Sequence, residues 1–71
     1  MITYEKYISG IQHAIDFRPK YIRKGQAVFT YIEQEYPGVG RSVMEDVDCF
    51  YNDLYIDQFI DACWKIIDSQ K

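Results

Sequence analysis

The stretch Leu54-Tyr55-Ile56-Asp57-Gln58-Phe59-Ile60-Asp61-Ala62-Cys63-Trp64-Lys65-Ile66-Ile67-Asp68-Ser69 repeats its apolar residues at the period of an α-helix. Ile56, Phe59, Ile60, Cys63 and Ile67 fall at i, i+3, i+4, i+7 and i+11, which puts them on one face. Asp57, Asp61, Lys65 and Asp68 take the opposite face. Asn52 or Asp53 can cap the first turn with a side-chain oxygen, and Asp57 suits the positive end of the helix dipole. An amphipathic helix of this kind needs a partner for its apolar face, so the rest of the chain is read for what supplies one.

Toward the N-terminus, Tyr4, Ile8, Ile11 and Ile15 recur at i, i+4, i+7 and i+11, with Tyr7 and Ala14 beside them. This predicts a helix from about Thr3, a credible N-cap, to Phe17, where Pro19 restricts Arg18 and stops it. A second helix is predicted from about Tyr21 to Tyr36, with Ile22, Phe29, Ile32 and Tyr36 on one stripe and Pro37-Gly38 as its stop. Gly10 and Gly25 each cost a helix interior about 1 kcal/mol relative to alanine, so both mark close packing, and a tight crossing of helices one and two through them is expected. Val39, Val43 and Val47 suggest a short helix, and Ser42 and Glu45 have capping-box spacing. A short strand at residues 41–45 is the alternative, followed in either case by an ordered loop over residues 48–53. The expected fold is all-α: one domain over residues 1–71, three main helices with a short additional helix or turn between the second and third. Ile8, Ile11, Ile15, Phe29, Ile32, Phe50, Phe59, Ile60, Cys63 and Ile67 are the expected core.

Seventy-one residues leave little room for a deep pocket, which favours a small binding or assembly module over a conventional catalytic domain. Hydrophobic residues at 48% and charged residues at 27% are ordinary for a folded domain. The net charge of −3 opposes unaided binding to nucleic acid or an anionic membrane. That charge is uneven: residues 41–71 hold seven Asp/Glu against three Lys/Arg, and much of the basic charge lies in the run Arg18 to Lys24. No apolar run approaches the roughly 20 residues that span a bilayer, and no signal-peptide pattern opens the chain. The two cysteines, Cys49 and Cys63, are expected as reduced thiols, hence a cytoplasmic setting.

Four features invite chemistry. Asp46 to Asp57 echoes a calcium loop, but Phe50 and Tyr51 stand where an oxygen ligand and a turn glycine are needed. With a single histidine and no CxxC spacing, zinc is not expected either, so no metal or other cofactor is expected. His13 is the one neutral-pH base, and a small ligand-binding or enzymatic domain built on His13 and the 48–53 loop is one alternative reading, although no nucleophile motif accompanies it. The Arg18–Lys24 run, with Tyr21 inside it, has the makings of a phosphate patch, or of a loop whose cations pair with the acidic half. The carboxylates Asp46, Asp48, Asp53, Asp57, Asp61 and Asp68 offer a further alternative, an inhibitor whose acidic face occupies a nucleic-acid-binding protein.

The segments Arg23-Lys24-Gly25-Gln26-Ala27-Val28-Phe29, Asp48-Cys49-Phe50-Tyr51-Asn52-Asp53 and Ile56-Asp57-Gln58-Phe59-Ile60 resemble a class of small uncharacterised proteins of Bacteroides-type gut bacteria and bacteriophages. That class shows an Arg-x-Gly-Gln-x-x-Phe motif, then Asp-x-Phe-Tyr-x-Asp, then an amphipathic closing helix. The resemblance spans roughly residues 18 to 67 and implies a bacterial or phage origin, with no activity to carry over. Physically, Arg23, Gly25, Gln26 and Phe29 are read as bracing the loop of Asp48, Phe50, Tyr51 and Asp53, with Arg23 and Gln26 hydrogen-bonding to it.

The function expected from the sequence is that of a non-enzymatic helical interaction protein that pairs with itself. Tyr4, Tyr7, Tyr31 and Trp64 lie on or beside the apolar stripes, where side chains are half-exposed in a monomer and buried in a two-fold homodimer.

Overall fold

Thr3 opens the first helix as its sequence predicts, its hydroxyl accepting a hydrogen bond from the Lys6 amide at 3.2 Å. The structure, a computed structural model, describes residues 3–50 and 52–70. Among them are four α-helices and no strand: α1 (Tyr4–Asp16), α2 (Lys24–Glu35), α3 (Val39–Met44) and α4 (Ile56–Ser69), with a 3-10 turn at Asp53–Tyr55 leading into α4. This is the expected all-α arrangement of three main helices plus a short one.

The connections explain where each helix begins. After α1, the Arg18 guanidinium donates to the carbonyls of Ile15 at 2.6 Å and Ile22 at 3.0 Å, and the Ile22 amide closes a turn onto Pro19 at 3.0 Å. That turn consumes the residues expected to start α2, so α2 begins at Lys24 rather than near Tyr21. Gln26 then caps its own helix, its side-chain oxygen accepting from the Arg23 amide at 3.0 Å.

Gly38, with φ of 91°, occupies the left-handed region that glycine reaches without strain and turns the chain into α3. The capping of α3 is tertiary. Both oxygens of Glu33 accept from its first turn, from the Gly38 amide at 2.8 Å and the Arg41 amide at 2.9 Å. Ser42 lies inside the helix, so the Ser42–Glu45 capping box expected from the sequence does not form. Further on, the Asn52 side chain accepts from the Leu54 amide at 3.0 Å and starts the 3-10 turn.

The core joins Tyr7 and Ile11 of α1, Val28 and Ile32 of α2, Val39 and Val43 of α3, Cys49 of the loop, and Ile56, Phe59, Cys63 and Ile67 of α4. Five of the ten expected core residues are buried: Ile11, Ile32, Phe59, Cys63 and Ile67. Ile8, Ile15, Phe29, Phe50 and Ile60 are only half-buried. For Ile8 and Ile15 the difference has one cause. The face of α1 that packs inward is centred on Tyr7 and Ile11, so the Ile8–Ile15 side of its wide stripe is left at the margin.

Gly10 and Gly25 are both close-approach sites, with different neighbours from those expected. A Cβ on Gly10 would meet the Tyr31 hydroxyl end, which does bring α1 against α2. A Cβ on Gly25 would strike the main-chain carbonyl of Cys49, so Gly25 seats the loop on α2 and is not part of an α1–α2 crossing.

Phe59 is fully buried between α2 and α4 with Phe29 beside it at 6.3 Å. Phe59→Ala is expected to cost about 3–5 kcal/mol in denaturant unfolding. The two glycines should respond unequally. Gly25→Ala forces main chain apart and should cost about 1–3 kcal/mol, whereas Gly10→Ala meets a side-chain tip that can swing aside and regains helix propensity, and should cost less. Urea melts of both variants check the order.

Candidate functional site

The face between α1 and α4 is closed at one end by aromatic side chains. At the closed end, Tyr7 is fully buried and its hydroxyl donates to the Ile60 carbonyl at 2.7 Å. Trp64 lies 5.0 Å from the Tyr7 ring, and Tyr4 sits edge-on to Trp64 at 5.3 Å. Tyr36 of the α2 terminus completes the cluster, 6.2 Å from Tyr7. Burial lifts the Tyr7 pKa far above its ordinary 10.0, with smaller contributions from Cys63, Tyr36, Tyr4 and the Asp61 charge. Tyr31 and Tyr36 are raised in the same direction, again chiefly by desolvation.

On the same face lies a groove of about 420 Å3. From α1 it is lined by Tyr4, Ile8, Ile11, Gln12 and Ile15, and from α4 by Ile56, Asp57, Ile60 and Asp61. Its floor is therefore isoleucine, and its α4 margin carries two exposed carboxylates. Just before it, Leu54 is 88% and Tyr55 45% exposed. A smaller hollow of about 230 Å3 lies between α1 and α2, lined in part by Phe17, Arg18, Ile22 and Tyr31.

Of the residues expected to form an interaction surface, Tyr4 is 47% exposed and Trp64 and Tyr31 are half-buried. Tyr7 is a correction: it was expected at a stripe edge and is instead a core residue, because its position faces α2 and α4 together and Ile60 satisfies its hydroxyl. Of the motif residues, Gly25 and Phe29 support the loop, the latter through Phe50 at 5.7 Å. The Cys49 thiol donates to the Gly25 carbonyl at 3.6 Å, and the Asp48 carboxylate accepts from the Phe50 amide at 2.9 Å. Gln26 does not hydrogen-bond to the loop as expected, since its side chain is spent on the Arg23 amide. Asp53 is the first residue of the 3-10 turn, and Tyr51 lies outside the described residues.

His13 is exposed and stacks on Phe17 with ring centroids 4.4 Å apart. Cys49 and Cys63 are both in the core, so the structure does not bring the imidazole to either thiol. His13 and the 48–53 loop line neither of the two hollows. In the basic run, the Arg18 guanidinium donates to main-chain carbonyls of its own turn, those of Ile15 and Ile22. No group of three or more His, Cys, Asp or Glu is close enough to hold a metal ion among the described residues. Also among those residues, no helix is long and apolar enough to cross a membrane.

The groove was missed from the sequence because Ile8, Ile15 and Ile60 share the phase of true core residues. The available signal was the width of the α1 stripe, which offers more isoleucine than one neighbouring helix can cover. No protein-family model, curated protein or solved structure matches the chain.

Burial raises the Cys49 pKa from 9.0 to about 11, countered in part by a main-chain hydrogen bond, and that of Cys63 from 9.0 to about 12. Both thiols are therefore protonated at neutral pH and screened from reagents. A pKa raised by folding gives stability that is complete below the unfolded value and lost as pH climbs toward the folded one. Stability should accordingly hold from neutral pH to about 9 and then fall by up to about 1.4 kcal/mol per pH unit for each thiol. Urea melts between pH 7 and 11 read this. In the same proteins, iodoacetamide should label neither cysteine at pH 7.5 until urea unfolds the chain.

Proposed function

We propose that this chain is a non-enzymatic protein-interaction module whose contact surface is the α1–α4 face. The observation that supports this best is the isoleucine groove, with partly exposed Tyr4 in its lining and exposed Leu54 and Tyr55 next in sequence to Ile56. Contiguous apolar surface at the margin of a small domain marks a contact region more often than a catalytic one. The placement of His13 and the two thiols adds weight, since they do not converge on a hollow. The inhibitor reading, in which carboxylates imitate a phosphate backbone, is weaker here: Asp57 and Asp61 flank apolar side chains instead of forming an unbroken polar face. The bacterial or phage origin and the cytoplasmic setting implied by the sequence belong to the same proposal.

Self-association is a second reading, favoured by the partly exposed Tyr4 and Trp64 at the closed end of the face. One pair of proteins tests both. The chain and its Ile8→Glu/Ile15→Glu variant, matched for helicity by circular dichroism, are immobilised and exposed to bacterial lysate. Proteins retained by the parent and lost from the variant are expected, and identical retention by both overturns the proposed surface. Light scattering of the parent over a hundredfold dilution tests the second reading. A mass of 8.5 kDa throughout ends it, and twice that mass at high concentration upholds it.

A further inference from the structure

We infer that the occupant of the α1–α4 groove is a cationic amphipathic helix of about three turns, an inference that rests on the interaction module proposed above. Ile8, Ile11 and Ile15 are spaced i, i+3 and i+7 along α1, and Ile56 and Ile60 line the same groove from α4. Two rows of branched side chains on neighbouring helices form a trough that receives apolar residues at i, i+3 or i+4, and i+7 of a docked helix. From Tyr4 to Ile15 the trough runs about 16 Å at the rise of an α-helix, which sets the three-turn length.

Small-molecule recognition fits this lining less well. A ligand pocket of such volume orients its guest with polar groups that converge from several directions. Here the polar residues of the lining are Tyr4 and Gln12 on one side, with Asp57 and Asp61 one turn apart on the other. Gln12 already donates to Asp16 at 2.9 Å.

The charge then selects the partner. Asp57 and Asp61 line the groove and are exposed on its α4 margin. The basic residues of the two helices, Lys6, His13 and Lys65, do not line the groove. A helix with Lys or Arg flanking its apolar stripe would set cations against these carboxylates while burying its apolar residues on isoleucine. A second copy of this chain suits the trough poorly. Two-fold pairing through the groove would oppose each copy's Asp57 and Asp61 to the same residues of the other, and the chain already carries a net charge of −3.

The test uses the full chain, 15N-labelled, and three synthetic 14-residue peptides. One is a leucine–lysine amphipathic helix. The second has glutamate in place of every lysine, and the third is the lysine peptide with a central proline. The lysine peptide should shift the amide resonances of Ile8, Ile15 and Ile60, and should bind at least tenfold more tightly than either of the others. Its affinity should fall as salt is raised. In the Asp57→Lys/Asp61→Lys variant, which alters only exposed side chains, the preference between lysine and glutamate peptides should invert.

Equal binding of the lysine and glutamate peptides at the groove would overturn the cationic partner while leaving the interaction module standing. Binding by the proline peptide as tight as by its parent would overturn the helical one. If no peptide moves the groove resonances at 1 mM, the groove is not a helix-docking site. Loss of lysate capture by the Ile8→Glu/Ile15→Glu variant would still be read independently for the module itself.

Discussion

A tyrosine hydroxyl that is wholly out of water must find an acceptor, and the place where Tyr7 finds one sets the geometry of this protein. An unpaired buried hydroxyl costs on the order of 1–3 kcal/mol, so the Ile60 carbonyl at 2.7 Å is a requirement of burying Tyr7. That carbonyl lies within α4, and a helical carbonyl has a second lone pair to offer without giving up its place in the helix. The bond therefore ties α1 to the middle of α4. Trp64 and Tyr4 close over the same point. With α1 held there and laid along α2, the groove is the space left between α1 and α4, bounded by Tyr4 to Ile15 on one side and Ile56 to Asp61 on the other.

The same economy governs the other joints. No polar or charged residue is buried among the described residues, so apart from the Tyr7–Ile60 bond the interior is held mainly by shape and apolar burial. Glu33 fixes the start of α3, Arg18 fixes the α1–α2 turn, and Gly25 lets the Cys49 carbonyl reach α2. The first two joints lie outside the core, and the third is buried in it. A domain of this size has few buried layers, and the free energy gained from connecting its short loops is a large share of the total.

The apolar surplus follows from the same limits. α1 carries isoleucine on a face broader than α2 can cover, and α4 is drawn toward α2 and α3 by Phe59, Cys63 and Ile67. What remains of the α1 stripe, together with Ile60, faces the trough. Exposed Asp57 and Asp61 flank that strip on α4, so solvated charge and apolar surface lie side by side along the trough.

Read alone, the sequence determined the three main helices, because periodicity and end signals act over a few residues: the stripe of α4, the Thr3 cap and the stop at Pro37-Gly38 are all local, whereas after Val39 a short helix and a short strand both stayed open. It also singled out Gly10 and Gly25 as places of close approach, since a helix keeps a glycine at a cost only where something needs the space. It did not determine which half of a broad stripe faces inward. Tyr7 and Ile8 are adjacent and both apolar in pattern, yet Tyr7 is buried and Ile8 lines the groove, because only the positions of α2 and α4 distinguish their directions. The Glu33 cap was invisible for the same reason, and of the Gly25–Cys49 contact only the seating of the loop by Gly25 was legible in the motif. Each joins residues far enough apart in sequence, or on separate elements, that no propensity or spacing rule connects them, and the packing of the helices alone brought them within reach.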